Sequence, residues 1–441
     1  MKNIIKTTNH SLKINAMTVD EYLYFFSTGF YVRNITYDSS LQDNIIRKLN
    51  DLSNKSELPV NLTKDDVRYL SAYFESLKKD SSSQQKAFKV LQDLAINENY
   101  PLAQAALGDI YLNGLFYQEK NTLVAISFYK KSSHNHNSRA DYLLAQIYDS
   151  AKEVEPDCYK SIHYLKRAAK RGYEDAENDL GYYYCVGDFV FQSFRKAFKY
   201  FYSAAKKGHA QAQANLASCY ELGTGTAKNP EEAFKWYSSS AKSLNATGEY
   251  HLALCYENGI GVKKDDNLSL TYLKKAADQG FLDAQFHLGQ CYEKGILVPF
   301  NVSSAIYWYQ LSANEGFIKS QSALALGYYK GSFGEKNYQK ALYWFTSAAK
   351  QNDGEALDYL GQMYLYGFGV KKDNQIAFSY FLKSATQKYS LGQYHVASCY
   401  QDGTGVDQDL HKAVLYYKKA ARLGNVNALD AIKRMSRYDE D

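Results

Sequence analysis

The chain has no run approaching about 18 consecutive apolar residues, so no membrane span is expected. Its basic N-terminus, Met1 to Thr8, has no apolar stretch behind it and makes a poor secretory signal. The Asp-Glu-Asp ending at 439–441 is neither a prenylation box nor an ER-retention signal. Charge of one sign is also lacking. With 52 basic against 47 acidic residues, the net charge is only +5, which argues against a large sequence-independent nucleic-acid footprint. Six cysteines occur but no Cys-x-x-Cys. Proline is scarce, with five copies in 441 residues. Together these absences leave a cytoplasmic protein as the expectation.

What is present is a substantial apolar fraction, 45%, with 42 tyrosines. That tyrosine count reads mainly as codon bias in an AT-rich genome, with an internal period adding to it. The period is seen by aligning each Tyr that is followed three residues later by Gly. Tyr184, Tyr220, Tyr256, Tyr292, Tyr328, Tyr364 and Tyr400 step by 36. Tyr148 keeps the step with Ala151 in place of Gly, and Tyr111 lies 37 before it. Four residues before each Tyr stands an apolar residue such as Leu180 or Leu288, followed by Gly or Ala. Sixteen residues after it stands an aromatic such as Tyr200 or Trp308, and then a small pair such as Ala204-Ala205.

These offsets place two apolar stripes on two successive helices. Small residues let the helices approach, and aromatics fill the space beside them. Gly at +3 and +24 from the Tyr suits left-handed helix ends. Pro156, Pro230 and Pro299 fall between expected helices, and Pro101 just before one. The expected fold is all-α, a right-handed α-solenoid of tandem 36-residue helix-turn-helix repeats. Nine repeats are expected over 98–424, preceded by a degenerate capping repeat over 62–97 centred on Phe74. Residues 425–441 read as a capping helix with an acidic tail. Residues 1–61 stand outside the period. There, Met17 to Phe30 and Leu41 to Leu52 suit helices, and the segment before Met17 reads as disordered.

The pattern resembles the Sel-one-like repeat family, a short relative of the tetratricopeptide repeat. It stands most fully as Ala284 to Tyr292, Gly259-Ile260-Gly261-Val262, and Lys412-Ala413 to Ala420-Ala421. Departures are local, with Leu244, Asn352 and Lys388 in place of the closing Gly. The resemblance implies a non-catalytic scaffold or adaptor, binding a peptide or helix of another protein along a concave face formed by first helices. It also implies alternatives: a regulatory subunit that activates or localises a partner enzyme in signalling, cell-wall or degradation complexes, or a bacterial host-interaction adaptor, translocated into the host cell.

Residues that suggest chemistry mostly fall on the period. Cys219, Cys255, Cys291 and Cys399 each precede a signature Tyr, in a core slot. They read as structural thiols, because neighbouring helices hold equivalent positions beyond disulfide reach. Gly-Thr-Gly-Thr at 223–226 and Gly-Ile-Gly-Val at 259–262 follow helices rather than strands, so they read as caps and not phosphate loops. Ser132 to Asn137, with its two histidines, reads as an irregular loop more readily than a weak metal site. No catalytic residue, cofactor or metal site is expected. The remaining candidate is a ladder on the first helices. Asn215, His251, His287 and His395 occupy the slot five before the Tyr, and Glu221, Glu257 and Glu293 the slot just after it. The ladder reads either as a solvated helix face or as a polar, partly acidic groove suited to a basic or amide-rich segment. On the second reading, Asn215, Glu221, His251, Glu257, His287 and Glu293 bind the partner.

Overall fold

The computed structural model describes residues 45–47, 49, 51–53, 62–78, 80–150 and 152–438. The expected helix at Met17 to Phe30, the segment before it and the acidic tail lie outside these. Among the described residues every regular element is a helix. The helices come in pairs, most of them 13 residues long, such as Glu174–Val186 with Phe194–Lys206 and Leu282–Lys294 with Val302–Asn314.

A repeated set of local signals sets these boundaries. Most first helices end on a glycine in the left-handed region, as at Gly223 with φ 74°. Ten residues or so after the signature Tyr, the second helix starts behind a capping Asn, Asp or Ser. Asn229 Oδ1 accepts from the Glu232 backbone N–H at 3.0 Å, and Asp373 Oδ1 from Ile376 at 2.9 Å. The cap's own N–H donates back to the carbonyl of the signature Tyr, at 2.8 Å for Asn229 to Tyr220 and 2.9 Å for Asp373 to Tyr364. One polar residue thus satisfies a helix start and ties it to the preceding helix. The closing turns keep their left-handed geometry even without Gly: Leu244, Asn352 and Lys388 have φ of 55°, 61° and 58°. One expectation fails here. Ser132 and Ser133 are not in an irregular loop but are buried in the helix Thr122–His134, where Ser132 donates to the Pro101 carbonyl at 2.6 Å.

The chain divides into two compact units. The first runs to His251 and includes Ile260–Val262, and the second takes Leu252–Gly259 and the residues from Lys263 onward. In the first unit, Ile45, Ile46, Leu49 and Leu52 pack with Val67, Leu70 and Phe74, and later repeats bury sets such as Ala176, Leu180, Ala197, Phe201 and Ala204. The second unit repeats the scheme with Ala305, Tyr309, Leu324, Ala341 and Phe345, then Ala377, Phe381 and Val396. Small residues on first helices meet rings on second helices. A Cβ on Gly181 would lie 2.5 Å from the Phe201 ring, and one on Gly289 2.6 Å from Tyr309.

Many tyrosines have a packing role within each repeat. Tyr184 stacks on Tyr200 at 5.8 Å, and Tyr256 on Tyr272 at 6.0 Å. Lysines lie over the same rings, Lys196 over Tyr184 at 5.0 Å and Lys275 over Tyr272 at 5.0 Å. A second polar element joins repeats. A buried glutamine seven residues before the Tyr donates to an alanine carbonyl on the preceding second helix: Gln213 to Ala205 at 3.2 Å, Gln285 to Ala277 at 3.0 Å and Gln321 to Ala313 at 3.0 Å.

Candidate functional site

All six candidate residues of the first-helix ladder are half-buried, three in each unit. In the first unit, Glu221 accepts a hydrogen bond from the Tyr237 hydroxyl at 2.8 Å. His251 stacks on the same ring, with centroids 4.9 Å apart and planes 7° from parallel. Asn215 donates to Asn178 Oδ1 on the preceding first helix at 2.9 Å and accepts from Gln211 at 3.2 Å.

In the second unit, Glu293 accepts from the Tyr309 hydroxyl at 2.6 Å. Burial, reinforced by this carboxylate, pushes the Tyr309 hydroxyl far above its ordinary pKa, so it stays a donor. In the repeat of Glu257 the place of that tyrosine is taken by Leu273, and Glu257 pairs with His287, Oε2 to Nε2 at 3.4 Å. His395 continues the slot, with Nδ1 2.7 Å from Asp358 Oδ1.

A rule unites several of these contacts. The residue five before one Tyr bonds the residue six before the preceding Tyr. Tyr142 donates to Asp179 at 3.0 Å, Asn215 to Asn178, and His395 meets Asp358. The ladder is therefore neither a row of freely solvated side chains nor a set of isolated charges. Asn215, His287 and His395 form polar rungs to the preceding first helix, while Glu221, His251 and Glu293 are held by tyrosines of second helices.

Asp179 shows the electrostatic cost of such a rung. Burial lifts its pKa to about 6, and the neighbouring Asp175 carboxylate adds to this against the Tyr142 hydrogen bond. The folded pKa lies above the unfolded value of roughly 3.9, so folding favours the protonated acid. Asp179 contributes stability below about pH 4, and that contribution is lost as pH rises through about 6. Asp179→Asn keeps an acceptor for Tyr142 and removes the charge. It is expected to stabilise the chain by about 1 kcal/mol at pH 7.5 and to change nothing near pH 3.5. Urea midpoints at the two pH values check this, and an equal effect at both would contradict it.

The cysteines sit as a packing role requires. Cys219, Cys255, Cys291 and Cys399 are buried and all six are free thiols. Burial pushes Cys219 up to about 11 and, with Asp402 adding, Cys399 to about 12, which keeps them as inert thiols. Gly223 and Gly259 adopt the left-handed conformation at helix ends, and Gly261 packs against the start of a preceding second helix. Among the described residues no group of three or more His, Cys, Asp or Glu is arranged to hold a metal. No helix among them is long and apolar enough to cross a membrane.

Helix pairs stepped at a fixed period, with polar rungs and no strand among the described residues, define an α-solenoid repeat protein. The chain belongs to the Sel1 repeat family: nine consecutive matches to its repeat cover 101–137, 138–173, 174–209, 210–243, 246–281, 282–317, 318–353, 354–389 and 390–425. Proteins of this family are generally non-catalytic protein-interaction scaffolds. A similar solved structure is c5321, a protective antigen of uropathogenic Escherichia coli strains displaying an SLR fold. It is 26% identical with a TM-score of 0.51, over 89% of this chain and 90% of that one. A Sel1 repeat protein from Oxalobacter formigenes is 25% identical with a TM-score of 0.53, over 74% of this chain and 93% of its own. A search of curated proteins finds no match.

Proposed function

We propose that the chain is an adaptor that holds an extended segment or helix of a partner protein against the first helices of its repeats. The observation that carries this reading is the extent of the repeat, which fills 101–425 and makes most of the molecule scaffold. The ladder residues support the docking face. Asn215, Glu221 and His251 in the first unit, and Glu257, His287 and Glu293 in the second, are fixed by neighbours while half-exposed. Polar groups held in place lose little freedom on binding. Their carboxylates suit a basic or amide-rich segment.

The ends of the array serve as caps. Lys64–Ser76 and Ser81–Ile96 follow the order of a repeat pair, bury Leu70, Phe74, Leu94 and Ala95 at the matching offsets, and start behind Thr63 and Asp80 caps. Val426–Tyr438 closes the other end by burying Ala428 and Ala431.

The test uses the full chain with a partner captured at native expression and then purified. Glu221→Gln, Glu257→Gln and Glu293→Gln are combined, because glutamine keeps an acceptor for Tyr237 and Tyr309 while deleting charge. Binding is expected to weaken about tenfold and to depend less on salt. Unchanged affinity and salt dependence would sink this docking mode.

A further inference from the structure

A second polar slot recurs where the closing turn of one repeat meets the next, and its occupants show what it accepts. Lys207 Nζ donates to the Gly172 carbonyl at 2.9 Å and to Glu177 Oε1 at 2.8 Å. Gln351 Nε2 donates to the Gly316 carbonyl at 2.9 Å and to Gln321 Oε1 at 3.1 Å. Asn135 Nδ2 donates to the Asn99 carbonyl at 3.2 Å and to Gln104 Oε1 at 3.1 Å. Each time, an N–H donor 23 or 24 residues after the Tyr bridges a turn carbonyl twelve before it and a side-chain oxygen seven before it. Arg171 meets Asp141 from the same place.

The repeat of Tyr292 has the two acceptors and no donor. Gln285 holds the slot's inner position and is 7% exposed. Its Nε2 is committed to the Ala277 carbonyl at 3.0 Å, which turns Oε1 toward the slot. That buried Oε1 has no hydrogen-bond partner. In place of Lys207 or Gln351 stands Glu315, an exposed carboxylate with no salt bridge among the described residues. Gly280, Leu282, Gln285, Leu311 and Glu315 line an open pocket at this point. A Cβ on Gly280 would meet nothing within 4 Å, so the approach is clear. Gln213 and Gln393 have the same orphan oxygen, but Ser243 and Leu423 occupy the place of Glu315 and add no charge.

We propose that this pocket binds the side chain of a lysine or arginine from a partner polypeptide. The cationic head takes the role that Lys207 plays in its own repeat, donating to Gln285 Oε1 and the Gly280 carbonyl with Glu315 supplying the counter-charge. Leu282 and Leu311 offer apolar walls to the aliphatic stem. The inference rests on the adaptor reading and names the chemistry of its partner, at a place apart from the ladder.

The experiment selects displayed random heptapeptides on the full chain and measures the enriched peptides by fluorescence anisotropy. Enriched peptides are expected to carry a lysine or arginine whose replacement by norleucine weakens binding about tenfold. Separate lysine and arginine versions decide between the two. Glu315→Lys is expected to place an internal donor in the slot, abolishing that discrimination and raising the melting temperature. Gln285→Leu is expected to abolish it without supplying a donor. Enrichment of peptides without a basic residue, discrimination unchanged in both variants, or no enrichment at all would overturn the proposal. None of these results touches the adaptor reading, which is judged with the native partner and the ladder variant.

Discussion

Gly261→Ala is expected to lower the stability of its unit by about 3 kcal/mol. Gly261 has φ 65°, and the added methyl would lie 2.1 Å from the Pro230 carbonyl oxygen and 2.5 Å from its carbon. Both atoms belong to backbone at the first residue of the helix Pro230–Lys242, whose start is held by the Asn229 cap. The methyl therefore meets an obstacle that cannot rotate away. A left-handed alanine alone accounts for about 1 kcal/mol, and the forced separation of two repeats for the rest. Gly280→Ala separates the two contributions. Its φ is 83°, but its Cβ would stand in open space, so about 1 kcal/mol is expected. Urea unfolding followed by circular dichroism compares them, and equal losses would contradict the clash.

Asp141→Ala is expected to cost about 3 kcal/mol. Asp141 is fully buried, accepts from the Ser133 hydroxyl at 2.6 Å and pairs with Arg171, with Arg167 at 3.5 Å. Alanine leaves a buried hydroxyl without its acceptor and two partly buried guanidinium groups without their counter-charge. Asp141→Asn preserves the shape and the Ser133 contact, and because burial raises the Asp141 pKa in spite of both arginines, it is expected to cost far less than alanine. The same denaturation measurement checks both. A loss below about 1 kcal/mol for alanine would show that water replaces the carboxylate at no cost.

The features legible in the sequence were those with a fixed residue type at a fixed offset. Leu180, Leu216 and Leu288 recur because a fully buried slot admits few side chains. Gly at the first-helix end recurs because most of these helices close on a left-handed residue. The polar couplings were harder to see. The slot seven before the Tyr holds Gln104, Asp141, Glu177 and Gln321, which share an acceptor oxygen but neither length nor charge. Its role depends on a carbonyl of the preceding repeat, which only the packed helices bring within reach. The second-helix cap alternates among Asn, Asp and Ser, and a search for apolar stripes passes over it. Its signal was nonetheless present, as a small polar residue nine after the Tyr in repeat after repeat.

The ladder illustrates the same limit. Its residues recur at a fixed offset from the apolar stripe and are half-buried. What spacing alone leaves out is that adjacent first helices lie side by side. That proximity converts Asn215 and His395 into rungs bonded to Asn178 and Asp358. Packing of each first helix on its own second helix gives Glu221 and Glu293 tyrosine donors.

Hydrogen–deuterium exchange of the full chain, with and without its purified partner, tests the docking account most directly. The account predicts that binding slows exchange in first helices, above all Ala210–Leu222 and Leu282–Lys294, and at the turn carrying Glu315. Protection confined to second helices such as Pro230–Lys242 and Val302–Asn314, with first helices unchanged, would contradict it.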